Sequence, residues 1–368
     1  MLREHTTGPI LVRGQGTAPD WGGRAEPPDV VVETNDLNGV LRHDPEDMTV
    51  AVRAGTRLDT LQEALAEYGQ RISVDPARAV RGASIGGLVA TADAGPLRQA
   101  FGSLRELVIG VAFVLADGTS VRSGGQVIKN VAGYDLSKLL HGSLGTLGIL
   151  TEIVLRVHPL PKATTTIAVS CSAAEAVRAG RALVGAAIEP AALEWSDGTL
   201  YVRVEGTPAG TDDRARRVLD LVEAGSRLSE SEARAAWDRM AAVALADPGD
   251  TVVRLGTLPS ATAWLVDLVA RLAERHGVDT TLTCSVGTGI HNARLRQAAP
   301  GRHAALLEDL RKGLAAGNGT AVVIRPDGLE ADFPTRGQPP AGINVMRAIK
   351  KRFDPGGRLG TGRFAPWF

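Results

Sequence analysis

Three glycine-centred stretches carry the residues whose types and spacing could do chemistry. Arg13-Gly14-Gln15-Gly16-Thr17 follows a short apolar run at residues 10–12. A strand leading into Gly-x-Gly and a hydroxyl can present successive backbone N–H groups to a phosphate. It is not a Rossmann fingerprint, because the third glycine is missing and Pro19 and Asp20 stand where a helix should start. Arg81-Gly82-Ala83-Ser84-Ile85-Gly86-Gly87 runs into small residues that let a backbone approach a ligand closely. The third stretch, residues 124–151, holds glycines 124, 125, 133, 142, 145 and 148 with apolar residues between them. Any one of these glycines is as readily a plain turn in an α/β core; three such loops together point to an anionic or flat ligand.

The elements that must position these loops can be read from periodicity and turn chemistry. Strands are expected at residues 30–33, 48–52, 71–74, 107–115, 120–122 and 151–157. A helix is expected over 58–68, with Leu58, Leu61, Leu65 and Tyr68 on one face, Thr56 as its cap and Gly69 as its end. Residues 88–93 read as a small-residue helical stretch, and Leu136, Leu139 and Leu140 as one face of another. Pro159 and Pro161 mark a boundary. Beyond it, strands near 165–170, 200–205, 251–255, 280–284 and 320–324 alternate with helices near 173–184, 212–223, 231–243, 261–275 and 304–315. That order predicts helices on one face of an antiparallel sheet. A basic helix over 341–353 and a Gly-rich turn, DPGGRLGTGRF, close the chain.

Composition narrows the function classes. With 368 residues the chain exceeds one typical domain, and 44% hydrophobic residues suffice for sizeable cores. Lys+Arg and Asp+Glu both number 41, so no excess charge favours nucleic acid or an acidic membrane. Aromatics at 4% also argue against base-stacking platforms. Cys171 and Cys284 are far apart and belong to no CxxC pattern, so they cannot hold a four-Cys zinc site or an iron–sulfur cluster; they read as small buried residues. No apolar run of about 18 residues exists. The chain reads as cytoplasmic, with attachment to the inner face of a membrane through partners left open.

RGxGT after an early strand, the ASIGGLVATADAG loop before a strand ending ADG, and GYDLSKLLHGSLGTLGILTEIVLRVHP together resemble one superfamily. It is that of PCMH-type FAD-binding proteins, the vanillyl-alcohol oxidase and p-cresol methylhydroxylase group. The tail KRFDPGGRLGTGR is similar to the FDP-x-G-x-x-N-P-G-R ending of its D-2-hydroxyacid dehydrogenase branch. GGQVIKNVAGYD resembles the FAD-binding E subunits of bacterial glycolate oxidases. The resemblance is dense over residues 10–160, returns at 341–364 and is thin between.

It implies an α+β protein: a two-lobed PCMH-type FAD-binding domain at 1–160 (lobes about 1–76 and 77–160) and an α+β cap at 161–340 with a mainly antiparallel sheet. Residues 341–368 would return to the first domain. It implies FAD, bound non-covalently because RGQGT lacks the histidine that carries flavin in some members. Arg13, Gly14, Gln15, Gly16 and Thr17 would meet the pyrophosphate. Gly82, Ala83, Ser84, Ile85, Gly86 and Gly87 would line the phosphates and ribose. Gly142, Ser143, Gly145, Thr146, Gly148 and Ile149 would follow the adenine–ribose side or the flavin edge. Pro76, Gly95, Gly133, Tyr134 and Asp135 complete the implied cofactor set.

The departures bear on catalysis. Nine residues before Ile10 cannot supply the helix that normally opens the first lobe, and Gly360-Thr361 stands where the family has Asn-Pro. Catalytic members carry an H-x-G-D-G-N-L-H-like metal-binding segment in the cap; here the matching stretch is Cys284-Ser285-Val286-Gly287-Thr288-Gly289-Ile290-His291. One imidazole cannot complete a site of three or four ligands, so no metal is expected. His291 is either structural or the cap's single candidate base, with Arg294 near enough to clamp a carboxylate. His276 and His303 are expected to be exposed. Lys129 and Asn130 precede GYDL and are the candidates for polarising substrate or flavin, the alternative being a surface lysine. The resemblance implies an FAD-dependent oxidoreductase acting on CH–OH groups. It would work beside a homologous FAD-containing D-type subunit and an iron–sulfur F-type subunit, oxidising glycolate to glyoxylate. The alternatives are a catalytically reduced structural or electron-transfer subunit and a standalone 2-hydroxy acid dehydrogenase.

Overall fold

A computed structural model describes residues 7–126 and 134–368. Contacts divide the chain into two units: Met1–Gly95, Gly102–Leu160 and Gln338–Phe368 form the first, and Pro96–Phe101 with Pro161–Gly337 the second.

In the first unit Ile10–Arg13 pairs in parallel with Val30–Glu33. A five-stranded antiparallel sheet runs Val40–Asp44, Thr49–Arg53, Ile149–Arg156, Val108–Val114, Ser120–Gly124. Its apolar face buries Val50, Val52, Ile153 and Leu155 against Leu61, Leu65, Ile85 and Leu88. The helix Leu58–Ala66 buries Leu58, Leu61 and Leu65 as their spacing predicts. Tyr68 departs from that face and is 58% exposed, because the helix ends two residues before it. Thr56 is not the cap either: Arg57 holds that position, and the Thr56 hydroxyl bonds the backbone of Gly39 instead. Val40–Asp44 is a strand that the sequence pattern does not announce; with three of its five residues exposed, it has no apolar alternation.

The C-terminal segment belongs to this unit. Leu359 bridges Ile10 in parallel, with Ile10 N–H donating to Arg358 O (2.7 Å) and Gly360 N–H to Ile10 O (3.0 Å). The helix Ile343–Phe353 stacks Phe353 on Phe113 at 6.3 Å. Lys350 Nζ donates to Thr146 O (2.9 Å) and Leu359 O (2.8 Å), so one ammonium ties helix, tail and third glycine loop together.

The second unit is built on an eight-stranded sheet in the order Gly225–Arg227, Ala163–Ser170, Thr199–Gly206, Ala192–Ser196, Thr280–Ser285, Ile290–Leu295, Thr251–Gly256, Thr320–Pro326. Every pairing is antiparallel. Alternate residues, among them Ile167, Val202, Leu193, Cys284 and Leu255, enter one core with Ala176, Val218, Leu265 and Leu310 from four helices. A fifth helix, Glu230–Leu245, lies on the opposite face, where Trp237 bonds Thr166 and stacks on Arg203 at 3.9 Å. This corrects the expectation that all helices share one face. Ser172 and Glu175 form a capping box at Ala173–Gly185, as do Ser229 and Glu232 at Glu230–Leu245. The helix Pro208–Leu221 begins earlier than its apolar pattern indicates, since Thr207 caps it and Pro208 occupies the first turn. No described helix is long and apolar enough to cross a membrane.

Candidate cofactor site

The three glycine loops meet at one cavity in the first unit. It measures about 410 Å³, within the usual range for ligand pockets. The strand Ile10–Arg13 delivers the first loop, so Arg13 through Thr17 form one wall. Ser84, Gly86 and Gly87, at the start of the helix Ile85–Thr91, form a second. Ser143, Leu144, Gly145 and Gly148 form the third.

Backbone conformation makes this a cradle. Leu144 and Gly145 both have positive φ (54° and 76°); the Leu144 amide donates to Ala90 O and the Thr146 amide to Ser143 O, on either side of Gly145. Among the described residues, the amides of Gly14, Gln15, Gly16, Thr17 and Gly145 donate to no acceptor in the chain. Gly14, Thr17 and Gly145 are half-buried, where amides rarely go unpaired, and with the exposed amides of Gln15 and Gly16 they mark a place for an anion. A Cβ at Gly16 would stand in open space, and one at Gly14 would come 3.1 Å from Ser84 Oγ. Gly86 has a different role. Its Cβ would lie 2.7 Å from Ala54 O, so its glycine lets helix and strand approach.

Side chains complete the wall. Arg13 pairs with Glu33, which raises its pKa, so it would serve a ligand through its backbone. Arg78, absent from the sequence-derived set, is buried beneath the first loop. Its guanidinium donates to Asp93 (2.9 Å), Thr17 Oγ1 (3.0 Å) and Thr91 Oγ1 (2.7 Å) and lies over Trp21 at 4.4 Å. Trp21, Thr34 and Arg363 also line the cavity without having been singled out. Arg363 comes from the tail, where it stands at the last arginine of the FDP-x-G-x-x-N-P-G-R ending that the tail resembles.

Several expected residues lie off this cavity. Pro76 caps the 3-10 turn Ala77–Arg81, and Gly82 ends it with φ 75°. Ala83 and Ile85 are core residues. A Cβ at Gly95 would fall 2.0 Å from Asp75 O, so that glycine serves backbone contact. Gly142 donates to Val89 O, Thr146 bonds Ser143 O, and Ile149 packs with Ile10 and Leu359. Tyr134 is 91% exposed, and Asp135 accepts from Ser137. Lys129, Asn130 and Gly133 lie outside the described residues.

In the second unit the CSVGTGIH stretch is a β-hairpin, not a loop. Cys284 and His291 are cross-strand partners, and both point into the helix-side core. His291 is fully buried; Nε2 meets Thr257 Oγ1 at 3.0 Å, Nδ1 has no partner among the described residues, and desolvation pushes its pKa down to about 4. Arg294 is no free carboxylate clamp. It donates to Asp250 (2.6 Å) and Asp247 (2.5 Å), both in its own unit. His303 is buried rather than exposed, between Thr251 and the carbonyl of Arg296, and His276 is half-buried on Asp309. Cys284 is buried as expected, whereas Cys171 is half-buried. Across the sheet from His291, Ser285 donates to the buried carboxylate of Glu194 (2.5 Å). Sequence reasoning missed Glu194 because Ala192–Ser196 is buried on both faces and shows no alternation.

Residues 3–124 match the FAD binding domain family. Residues 3–124 are thus an FAD binding domain, and FAD is the cofactor this chain takes. Among individual proteins, it is 38% identical over 181 residues to glycolate oxidase subunit GlcE of Escherichia coli, covering 49% of this chain and 51% of that one. It is 27% identical to GlcD of Bacillus subtilis over 96% of this chain and 83% of that one. The mitochondrial D-lactate dehydrogenase [cytochrome] of Arabidopsis thaliana is 38% identical over 42% of this chain, a match spanning 27% of the plant protein. The chain thus spans about half of GlcE and a little over a quarter of the plant enzyme in these matches. Alkyldihydroxyacetonephosphate synthase shares the fold, with TM-score 0.72 and 17% identity over 96% of this chain and 72% of that one.

Proposed function

We propose that this chain is the FAD-binding subunit of a glycolate oxidase-like complex that oxidises a 2-hydroxy acid. The observation that carries the reading is the set of unpaired amides on the first and third of three converging loops, which suits the diphosphate of an extended dinucleotide. When bound, FAD supplies a two-electron acceptor for a hydride from the substrate carbon. The protein's own part is to fix that acceptor through the loops at Gly14–Thr17, Ser84–Gly87 and Ser143–Gly145, and to exclude water around it. The similarity to GlcE and GlcD supports work in company with a second flavin-bearing chain. With two free cysteines the chain holds no cluster of its own, so electrons would leave through an iron–sulfur partner.

A second reading gains from the second unit: a flavin-bearing subunit with reduced chemistry. His291 faces a core and Arg294 is spent on two carboxylates, so neither candidate is free to take a hydroxyl proton or hold a carboxylate. The test is to purify the chain and record its visible spectrum, then add glycolate or D-lactate without oxygen. Bleaching of the flavin band supports direct oxidation; an unchanged flavin spectrum supports the second reading; a colourless wild-type chain that takes up no added FAD refutes both. Gly145→Val leaves ordinary contacts with Val12 (3.6 Å) but forces a branched residue to φ 76° and fills the cradle, so it should lose flavin. A fully loaded yellow variant would overturn the loop's assignment.

A further inference from the structure

The tail contributes more than packing. Leu359 extends the Ile10–Arg13 sheet, and four residues later Arg363 enters the cavity. The residue is 8% exposed. Nη1 donates to the carbonyls of Pro19 and Gly23 (2.9 Å to the latter), which pins the segment carrying Trp21. Nε and Nη2 have no acceptor in the chain among the described residues. Two other cavity arginines are already neutralised, Arg13 by Glu33 and Arg78 by Asp93. Arg363 has no carboxylate within ion-pair distance among the described residues. Burial lowers its pKa while Asp20, also at the cavity, opposes the shift; a guanidinium keeps its proton regardless.

A buried cation, held rigid on one edge and open on the other, beside a row of unpaired amides, is built to receive a doubly charged oxyanion. Guanidinium suits that task because its fork matches phosphate oxygens. We propose that Arg363 recognises the diphosphate of the bound dinucleotide, so that the C-terminal tail is part of the cofactor site. This rests on the FAD reading above.

The test uses the full chain with three probes: FAD, ADP and riboflavin. ADP carries the diphosphate without the flavin, and riboflavin the flavin without phosphate. In the wild-type protein, butanedione modification of Arg363, mapped by peptide mass spectrometry, should be suppressed by FAD and by ADP but not by riboflavin. Arg363→Gln should weaken FAD and ADP about 10- to 100-fold, the range for one lost charged hydrogen-bond pair, and leave riboflavin affinity unchanged. Arg363→Lys should regain part of the loss. Undiminished modification with FAD bound overturns the proposal while sparing the FAD reading. An equal loss for ADP and riboflavin also overturns it, because it reduces Arg363 to a clamp on Pro19 and Gly23. Protection by ADP in a chain that binds no FAD keeps the diphosphate assignment and refutes the flavin reading. The protection experiment needs no variant, so a poorly folding Arg363→Gln does not block the decision.

Discussion

Replacing Arg78 with methionine offers a demanding test of how the first glycine loop is held. Its side chain and that of Asp93 are 7% and 6% exposed, and one guanidinium reaches Asp93, Thr17 and Thr91. Methionine keeps the apolar stem over Trp21 but leaves the Asp93 carboxylate buried without its cation. Breaking a buried pair from one side costs about 3–5 kcal/mol. At about 2–4 °C per kcal/mol for a domain of about 150–250 residues, the flavin-free protein should melt roughly 6–20 °C lower. Asp93→Asn added to Arg78→Met removes the stranded charge. The double variant should recover part of the loss, a coupling of about 1–3 kcal/mol. Circular dichroism melts of the four flavin-free proteins measure this cycle, and flavin titration reports the loop separately. Losing the Arg78–Thr17 bond alone should weaken FAD by about 2- to 10-fold. A single variant melting within about 2 °C of wild type, or a coupling under about 0.5 kcal/mol, refutes the argument.

Two further predictions concern the second unit. His291 has its pKa pushed down to about 4 from 6.5, so the unfolded chain takes up its proton first as pH falls. Its contribution is fully present above pH 6.5 and is lost as pH drops toward 4, up to about 3 kcal/mol for the shift of 6.5 − 4 = 2.5. Urea unfolding between pH 7 and 4 should show this slope in wild type and a shallower one in His291→Leu; parallel curves would mean that the ring is not held neutral. Arg294→Gln should destabilise the second unit by about 3–5 kcal/mol, since Asp250 is buried beside it. Burial would raise the Asp250 pKa, but the amides of Asp247 and Gln297 and the Arg294 guanidinium hold it below its usual value. Flavin affinity, set in the other unit, should stay within about twofold of wild type; a larger loss would return Arg294 to the cofactor's service.

Much of the fold was legible because its signals are local. The run Leu58, Leu61, Leu65 and the apolar strands at 30–33 and 108–114 announce themselves by period. The loops at Gly14, Gly86 and Gly145 were legible as a group, since only glycine tolerates both close approach and positive φ. What stayed hidden depends on distant pairing. Ala192–Ser196 is buried on both faces and carries Glu194 and Ser196 inside, so it resembles no half-buried strand. The direction in which His291 points follows from its register with Cys284, and a one-residue slip would reverse it. Arg78 looked like one of many arginines, and the tail motif that ends in Arg363 says nothing of its partners, because the contacts span 61 residues from Arg78 to Thr17 and 340 from Arg363 to Gly23.

That last separation has a consequence for biogenesis. The first strand receives its second neighbour from Leu359, and the loop after it is clamped by Arg363. Both arrive some 350 residues after Ile10 has been synthesised. Until then one edge of that strand is open to other chains and the segment around Trp21 lacks its clamp. Cofactor loading is therefore expected to follow synthesis of the segment that holds Leu359 and Arg363, and a nascent chain stalled before Leu359 should expose its earliest residues to proteases and chaperones for as long as the stall lasts.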